Sequence, residues 1–120
     1  MKNFEILVPA GQYYISDPCY IIKDEDWYTL LDSCNFFNNP IGDIKGFKCY
    51  ASSTAFGDGE YFDQNGNSYS VDSGLIGLVP VDYTEHNTRS IIISNPSNFG
   101  YKDGVIYLEG YFYINTDNMY

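Results

Sequence analysis

The chain has 120 residues, 44% of them hydrophobic, which suits one domain with a single core and excludes a disordered chain. Sixteen acidic residues stand against six basic ones, a net charge of −10, which argues against direct contact with the nucleic acid backbone or an anionic membrane. The charge is spread over both halves, nine acids and four bases in residues 1–60 and seven and two in 61–120, so a negative field surrounds the whole body and fits a basic protein partner or simple solubility.

In chain order, the alternation predicts strands over Phe4–Val8 and Gln12–Ile15, separated by Pro9-Ala10-Gly11. Ser16-Asp17-Pro18 reads as a turn, and Cys19–Ile22 as a third short strand. A helix follows over about 24–34: Asp24-Glu25-Asp26 supplies a cap and an acidic first turn, and Trp27, Leu30, Leu31 and Cys34 form one apolar stripe. Asn35–Gly46, rich in Asn, Pro and Gly, reads as a loop. Phe47–Phe56 reads as a strand. Glu60–Asp63 and Ser68–Asp72 form a hairpin about Asn65-Gly66. Leu75–Tyr83 is a long strand in which Pro80 indicates an edge or a bulge. After the polar loop Thr84–Thr88, Ser90–Ser94 carries Ile91-Ile92-Ile93, apolar on both faces and expected to be central.

Asn95–Gly104 reads as a second loop, and Gly104–Asn115 as one last strand. Its period of two sends Ile106, Leu108, Phe112 and Ile114 to the core. Val105, Tyr107, Glu109, Tyr111 and Tyr113 fall on the other face, an outer tyrosine row interrupted by a carboxylate. The expected architecture is a mainly β, single-domain antiparallel sandwich or partly open barrel carrying one short helix. Ile92, Trp27 and Leu31 join the four inward residues of the last strand in its expected core.

Chemistry is harder to place. Cys19, Cys34 and Cys49 are an odd set without metal-site spacing, which suits free thiols in a reducing compartment. Met1-Lys2-Asn3-Phe4-Glu5 lacks the apolar run of a secretory signal, so the expected location is the cytoplasm. Asp63, Asn65 and Asn67 alternate as calcium ligands do. The glycine, however, stands at 66, and Gly74 occupies the place of the closing glutamate, so a plain turn is expected. Cys19 as nucleophile would need His86, the sole histidine, as base, and Cys19 has no basic neighbour to lower its pKa. Carboxylates at Asp17, Asp58, Glu60, Asp63 and Asp72 could pair for hydrolysis, yet Asp17, Asp58 and Asp72 stand at turn positions where Asp bonds its own backbone. No glycine loop for phosphate is present, and no cofactor is expected.

Two motifs carry a resemblance. Ser16-Asp17-Pro18-Cys19-Tyr20 precedes the acidic Trp-Leu-Leu helix, and Gly57-Asp58-Gly59-Glu60-Tyr61 precedes Val71-Asp72-Ser73-Gly74-Leu75-Ile76-Gly77-Leu78-Val79-Pro80. Over residues 11 to 80 this order resembles a group of small uncharacterised proteins of bacteriophage and bacterial genomes. The resemblance implies a small accessory protein of phage origin and carries over no activity. By analogy with small acidic phage inhibitors, the expected function is non-enzymatic. The protein would bind and inhibit a host defence factor, such as a restriction or CRISPR nuclease, through a basic surface on that host protein. The expected binding residues are Tyr107, Glu109, Tyr111, Tyr113, Asp17, Asp58, Glu60 and Asp72. The alternatives are a protein sequestering a small nucleotide-like ligand, a hydrolase or lyase using Asp58, Asp72 or Cys19, and a minor virion component.

Overall fold

Leu75–Val79 is buried at every position, the signature of a strand covered on both faces. In the computed structural model, which describes residues 2–117, this strand lies at the centre of the molecule. The elements are β1 (Phe4–Val8), β2 (Gly11–Ser16), α1 (Asp24–Ser33), β3 (Ile41–Ile44), β4 (Phe47–Ser53), β5 (Gly59–Phe62), β6 (Ser68–Val71), β7 (Leu75–Pro80), β8 (Ser90–Ile93), β9 (Ser97–Lys102), β10 (Val105–Leu108) and β11 (Phe112–Asn115). Short 3-10 turns at Pro18–Tyr20 and Val81–Tyr83 complete them.

β7 is the middle strand of a five-stranded antiparallel sheet of order β3-β4-β7-β2-β8. One face, with Tyr13, Ile15, Tyr50, Ile76 and Leu78, packs against a four-stranded antiparallel sheet of order β1-β9-β10-β11. That second sheet contributes Val8, Phe99, Tyr101, Ile106, Leu108, Phe112 and Ile114. The opposite face is covered by α1, whose Leu30 and Leu31, with Cys34 just beyond its end, pack in one cluster with Ile44, Cys49, Ala51 and Val79. The hairpin β5–β6 adds Tyr61, Tyr69 and Val71 to the core between the sheets and touches β11 through a bridge from Asp63 to Ile114. The result is a sandwich with a helix on one outer face and no closed barrel. Among the described residues no helix lies on the other outer face, that of the four-stranded sheet. Among the described residues no helix is long and apolar enough to cross a membrane.

Several expectations are corrected. Cys19–Ile22 is no strand, because Asp17 caps a 3-10 turn at Pro18–Tyr20 that reverses the chain. The stretch 35–46 contains β3, whose Gly42 lies close under Leu30, Phe37 and Cys34, so a glycine that looked like loop material is a point of close packing. The stretch 95–104 contains β9, a central strand. Ser90–Ile93 is an edge strand, and its Ile92 is exposed. Pro80 ends a central strand, at the point where the chain leaves the sheet and a missing N–H costs nothing. Trp27 is half-buried. Asp24, Glu25 and Asp26 form the first turn of α1, while Lys23 holds the cap position without a side-chain bond.

The last segment is a hairpin rather than one strand. Leu108 pairs with Phe112 across the connection at Glu109-Gly110-Tyr111, and Ile106 pairs with Ile114. Paired residues share a face, and the paired positions differ by four and by eight, both even offsets. The inward set of a single strand and of this hairpin is therefore the same, and Ile106, Leu108, Phe112 and Ile114 are all buried.

Candidate functional site

The outward residues of the four-stranded sheet form the first candidate. Register places Glu5, Gly100, Tyr107 and Tyr113 in one row across β1, β9, β10 and β11. Gly100 gives the row its shape. A Cβ there would stand 2.7 Å from the Tyr107 hydroxyl and 2.4 Å from the Phe4 carbonyl oxygen. The Tyr107 ring therefore lies across the glycine, and its hydroxyl donates to Glu5 Oε2 at 2.5 Å. Burial and that bond push the Tyr107 hydroxyl up to about 12, so it stays protonated and donating at neutral pH. Tyr113 stacks on Tyr107 with ring centroids 6.3 Å apart and planes 19° apart, and its own hydroxyl accepts from the Gly110 N–H. Glu109 accepts from the Asn98 side-chain amide at the end of the same face. Glu5, Lys102, Val105, Tyr107, Glu109 and Tyr113 line a shallow depression of about 410 Å³. Of the expected tyrosine row, Tyr107 and Tyr113 stand here as cross-strand partners. Tyr111 lies in the turn, packs partly against the core and accepts from the Ser94 N–H.

Glu5 and Gly100 complete this row. Sequence carried a signal for Glu5, which alternates outward between Phe4 and Ile6. Gly100, between Phe99 and Tyr101, resembled turn material.

The second candidate unites the two motifs of the Asp-Pro-Cys-Tyr and Val-Asp-Ser-Gly type. Asp17 is completely buried. Its Oδ1 accepts from the Cys19 N–H at 3.0 Å and the Ser73 hydroxyl at 2.5 Å, and its Oδ2 from the N–H groups of Asp72 and Ser73 at 2.8 and 2.7 Å. One carboxylate thus caps the turn after β2 and clasps the turn between β6 and β7, more than fifty residues away. Tyr20 closes the outside by donating to Asp72 Oδ2 at 2.5 Å, and that bond pushes its hydroxyl up to about 12. Four donors occupy the Asp17 oxygens, leaving little capacity to take a proton from a substrate. The Cys19 thiol, half-buried beside this carboxylate, is pushed up to about 12 by burial and by the Asp17 charge, so it is a neutral thiol at pH 7.

The remaining expected residues are dispersed. Glu60 is exposed on β5, and Asp58 is exposed in the turn before it. Asp63 is buried and accepts from the N–H groups of Asn65 and Asn67, the Asn67 amide and the Tyr69 hydroxyl. Burial works against its charge, but these bonds outweigh burial and hold the carboxyl below its ordinary range. The alternating Asp63, Asn65 and Asn67 thus form a self-bonded turn. His86 packs its ring edge-on against Tyr14, and its Nδ1 accepts from the Thr88 N–H. Among the described residues no three His, Cys, Asp or Glu side chains gather as a metal site would need. Cys19, Cys34 and Cys49 are free thiols. Comparison with protein-family models, with curated proteins and with solved structures finds no match.

Proposed function

We propose that the chain is a non-enzymatic binding protein that docks a basic protein surface through the outer face of its four-stranded sheet. One observation carries this reading: the row Glu5–Gly100–Tyr107–Tyr113 presents a stacked aromatic pair fixed in place on a sheet face that no helix covers among the described residues. Tyrosine supplies contact area at low entropic cost, and here a hydrogen bond and a stack already restrict the rings, so less freedom is lost on docking. Glu5 and Glu109 flank the pair against one lysine, Lys102. The net charge of −10 steers a cationic partner toward the molecule.

The partner class follows from that charge and from the resemblance to phage proteins: a host defence factor, such as a restriction or CRISPR nuclease, whose basic nucleic-acid-binding surface would be covered. Host-cell cytoplasm is the corresponding location. The test is a phage-challenge assay in which cells carrying a defence nuclease also express the chain. Wild type should restore phage titre and Tyr107→Ala/Tyr113→Ala should not, with both proteins folded and equally abundant. Equal rescue by the double variant would refute the assignment of this face.

A further inference from the structure

On another side of the molecule, the chain's only arginine opens onto a polar cavity. Arg89 stands just before β8, and its carbonyl accepts from the Ile15 N–H, which fixes its backbone against β2. With Ser16, Tyr20, Ser68, Ser70 and Thr88 it lines a cavity of about 230 Å³. Among the described residues Arg89 makes no ion pair and no side-chain hydrogen bond, although acids outnumber bases by sixteen to six.

The hydroxyls divide into two groups. Those of Ser16, Tyr20 and Tyr69 already donate, to the Asp17 carbonyl, Asp72 and Asp63. Those of Ser68, Ser70 and Thr88 have no hydrogen-bond partner among the described residues. Arg89, Ser68 and Ser70 are exposed to solvent and Thr88 is half-buried, so a guanidinium and three hydroxyls can exchange water for a tetrahedral oxyanion, whose oxygens each accept several charge-assisted bonds. The cavity is smaller than the about 300 Å³ at which drug-sized sites begin, so it suits an anionic group better than a whole large ligand. The Tyr20 ring, 42% exposed, forms a wall on which an organic substituent can lie.

We infer that this cavity is a binding site for a small phosphate monoester, its phosphoryl group held by Arg89, Ser68, Ser70 and Thr88 and its substituent resting on Tyr20. This site is separate from the tyrosine face and does not depend on its role. The test is titration of the folded protein with ribose 5-phosphate, and in parallel with inorganic phosphate, at constant ionic strength, followed by amide chemical shifts and calorimetry. Ribose 5-phosphate should give saturable shifts at residues 16, 68–70, 88 and 89 and should bind more tightly than inorganic phosphate. Arg89→Gln should lower its affinity about tenfold or more, the scale of a lost charge-assisted bond. Ser70→Asp, which places a like charge in the cavity, should do the same and decides the matter if Arg89→Gln fails to fold. Absence of saturable shifts, equal affinity for the two phosphates, or undiminished affinity in the folded variants would overturn the assignment.

Discussion

The clasp around Asp17 and the outer face around Tyr107 are built from the same kinds of residue, yet they are arranged in opposite ways. Each holds a tyrosine donating to a carboxylate, Tyr20 to Asp72 and Tyr107 to Glu5. Within the clasp the central carboxylate is buried and takes donors from two separated turns, so its bonding capacity goes into holding the chain together. On the outer face the carboxylate fixes one ring and leaves a second, Tyr113, 44% exposed beside it. An acid–tyrosine pair is therefore a poor marker of function by itself. The two places differ in whether the partners of the carboxylate are backbone groups of distant segments or a side chain on an open face.

Removing Asp17 should show the sharpest difference. Asp17→Ala removes a buried carboxylate and leaves three part-buried backbone N–H groups without their acceptor, and should lower stability by about 2–4 kcal/mol in chemical denaturation. A loss below about 1 kcal/mol would mean that water replaces the carboxylate and that the clasp is not structural. Leu30→Ala, under the helix layer, should cost about 2–5 kcal/mol and serves as the apolar yardstick.

Gly100→Ala probes the outer face from beneath. Its Cβ must displace either the Phe4 carbonyl or the Tyr107 ring, so it should cost about 1–3 kcal/mol and also weaken binding. A variant that keeps full stability and full binding would show that Tyr107 does not need to lie across the glycine.

The buried acid–tyrosine pairs predict a stability profile with two limbs. Asp26 is held below its ordinary range by the hydrogen bond from Tyr83, and Asp63 by the bonds that outweigh its burial. Their stabilisation is present above the unfolded carboxylate range and is lost as pH falls below about 4 through the depressed folded values. Burial and the bond to Asp26 push Tyr83 up to about 12, and burial raises Tyr69 as well. The fold favours the protonated phenols, so stability present below about pH 10 is lost as pH rises through those raised values. Thermal melts between pH 2 and 11 check both limbs; a profile flat below pH 4 would contradict the bonding of Asp26 and Asp63.

Smaller still should be the effect of Tyr113→Ala on the fold, below about 1 kcal/mol, against a loss of about 1–2 kcal/mol or more in partner binding. Cys19→Ala and His86→Ala should leave binding unchanged.

Local signals told the truth where the structure is local. Asn65-Gly66 sits in the hairpin turn, with Gly66 at φ +81, and the stripe Leu30, Leu31 and Cys34 is the buried side of α1. Asp17 before proline was legible as a turn residue because it does bond the nearby Cys19 N–H. Its longer reach to Asp72 and Ser73 joins segments with no relation in the sequence pattern. β3 and β9 were hidden because Gly42 and Gly100 are small for packing reasons, yet small residues beside Asn and Pro look like loops. Ile91-Ile92-Ile93 misled in the other direction: two of the three face the core, and the strand still lies at an edge with Ile92 turned outward.

On the proposed reading, docking uses the tyrosine face while the clasp only holds the fold together. The decisive measurement is hydroxyl-radical footprinting of the chain, free and mixed with a basic defence nuclease of the proposed partner class. New protection is expected at Tyr107 and Tyr113, with Tyr20 and Cys19 unchanged. Protection at Tyr20 and Cys19, with Tyr107 and Tyr113 as reactive as in the free chain, would contradict it.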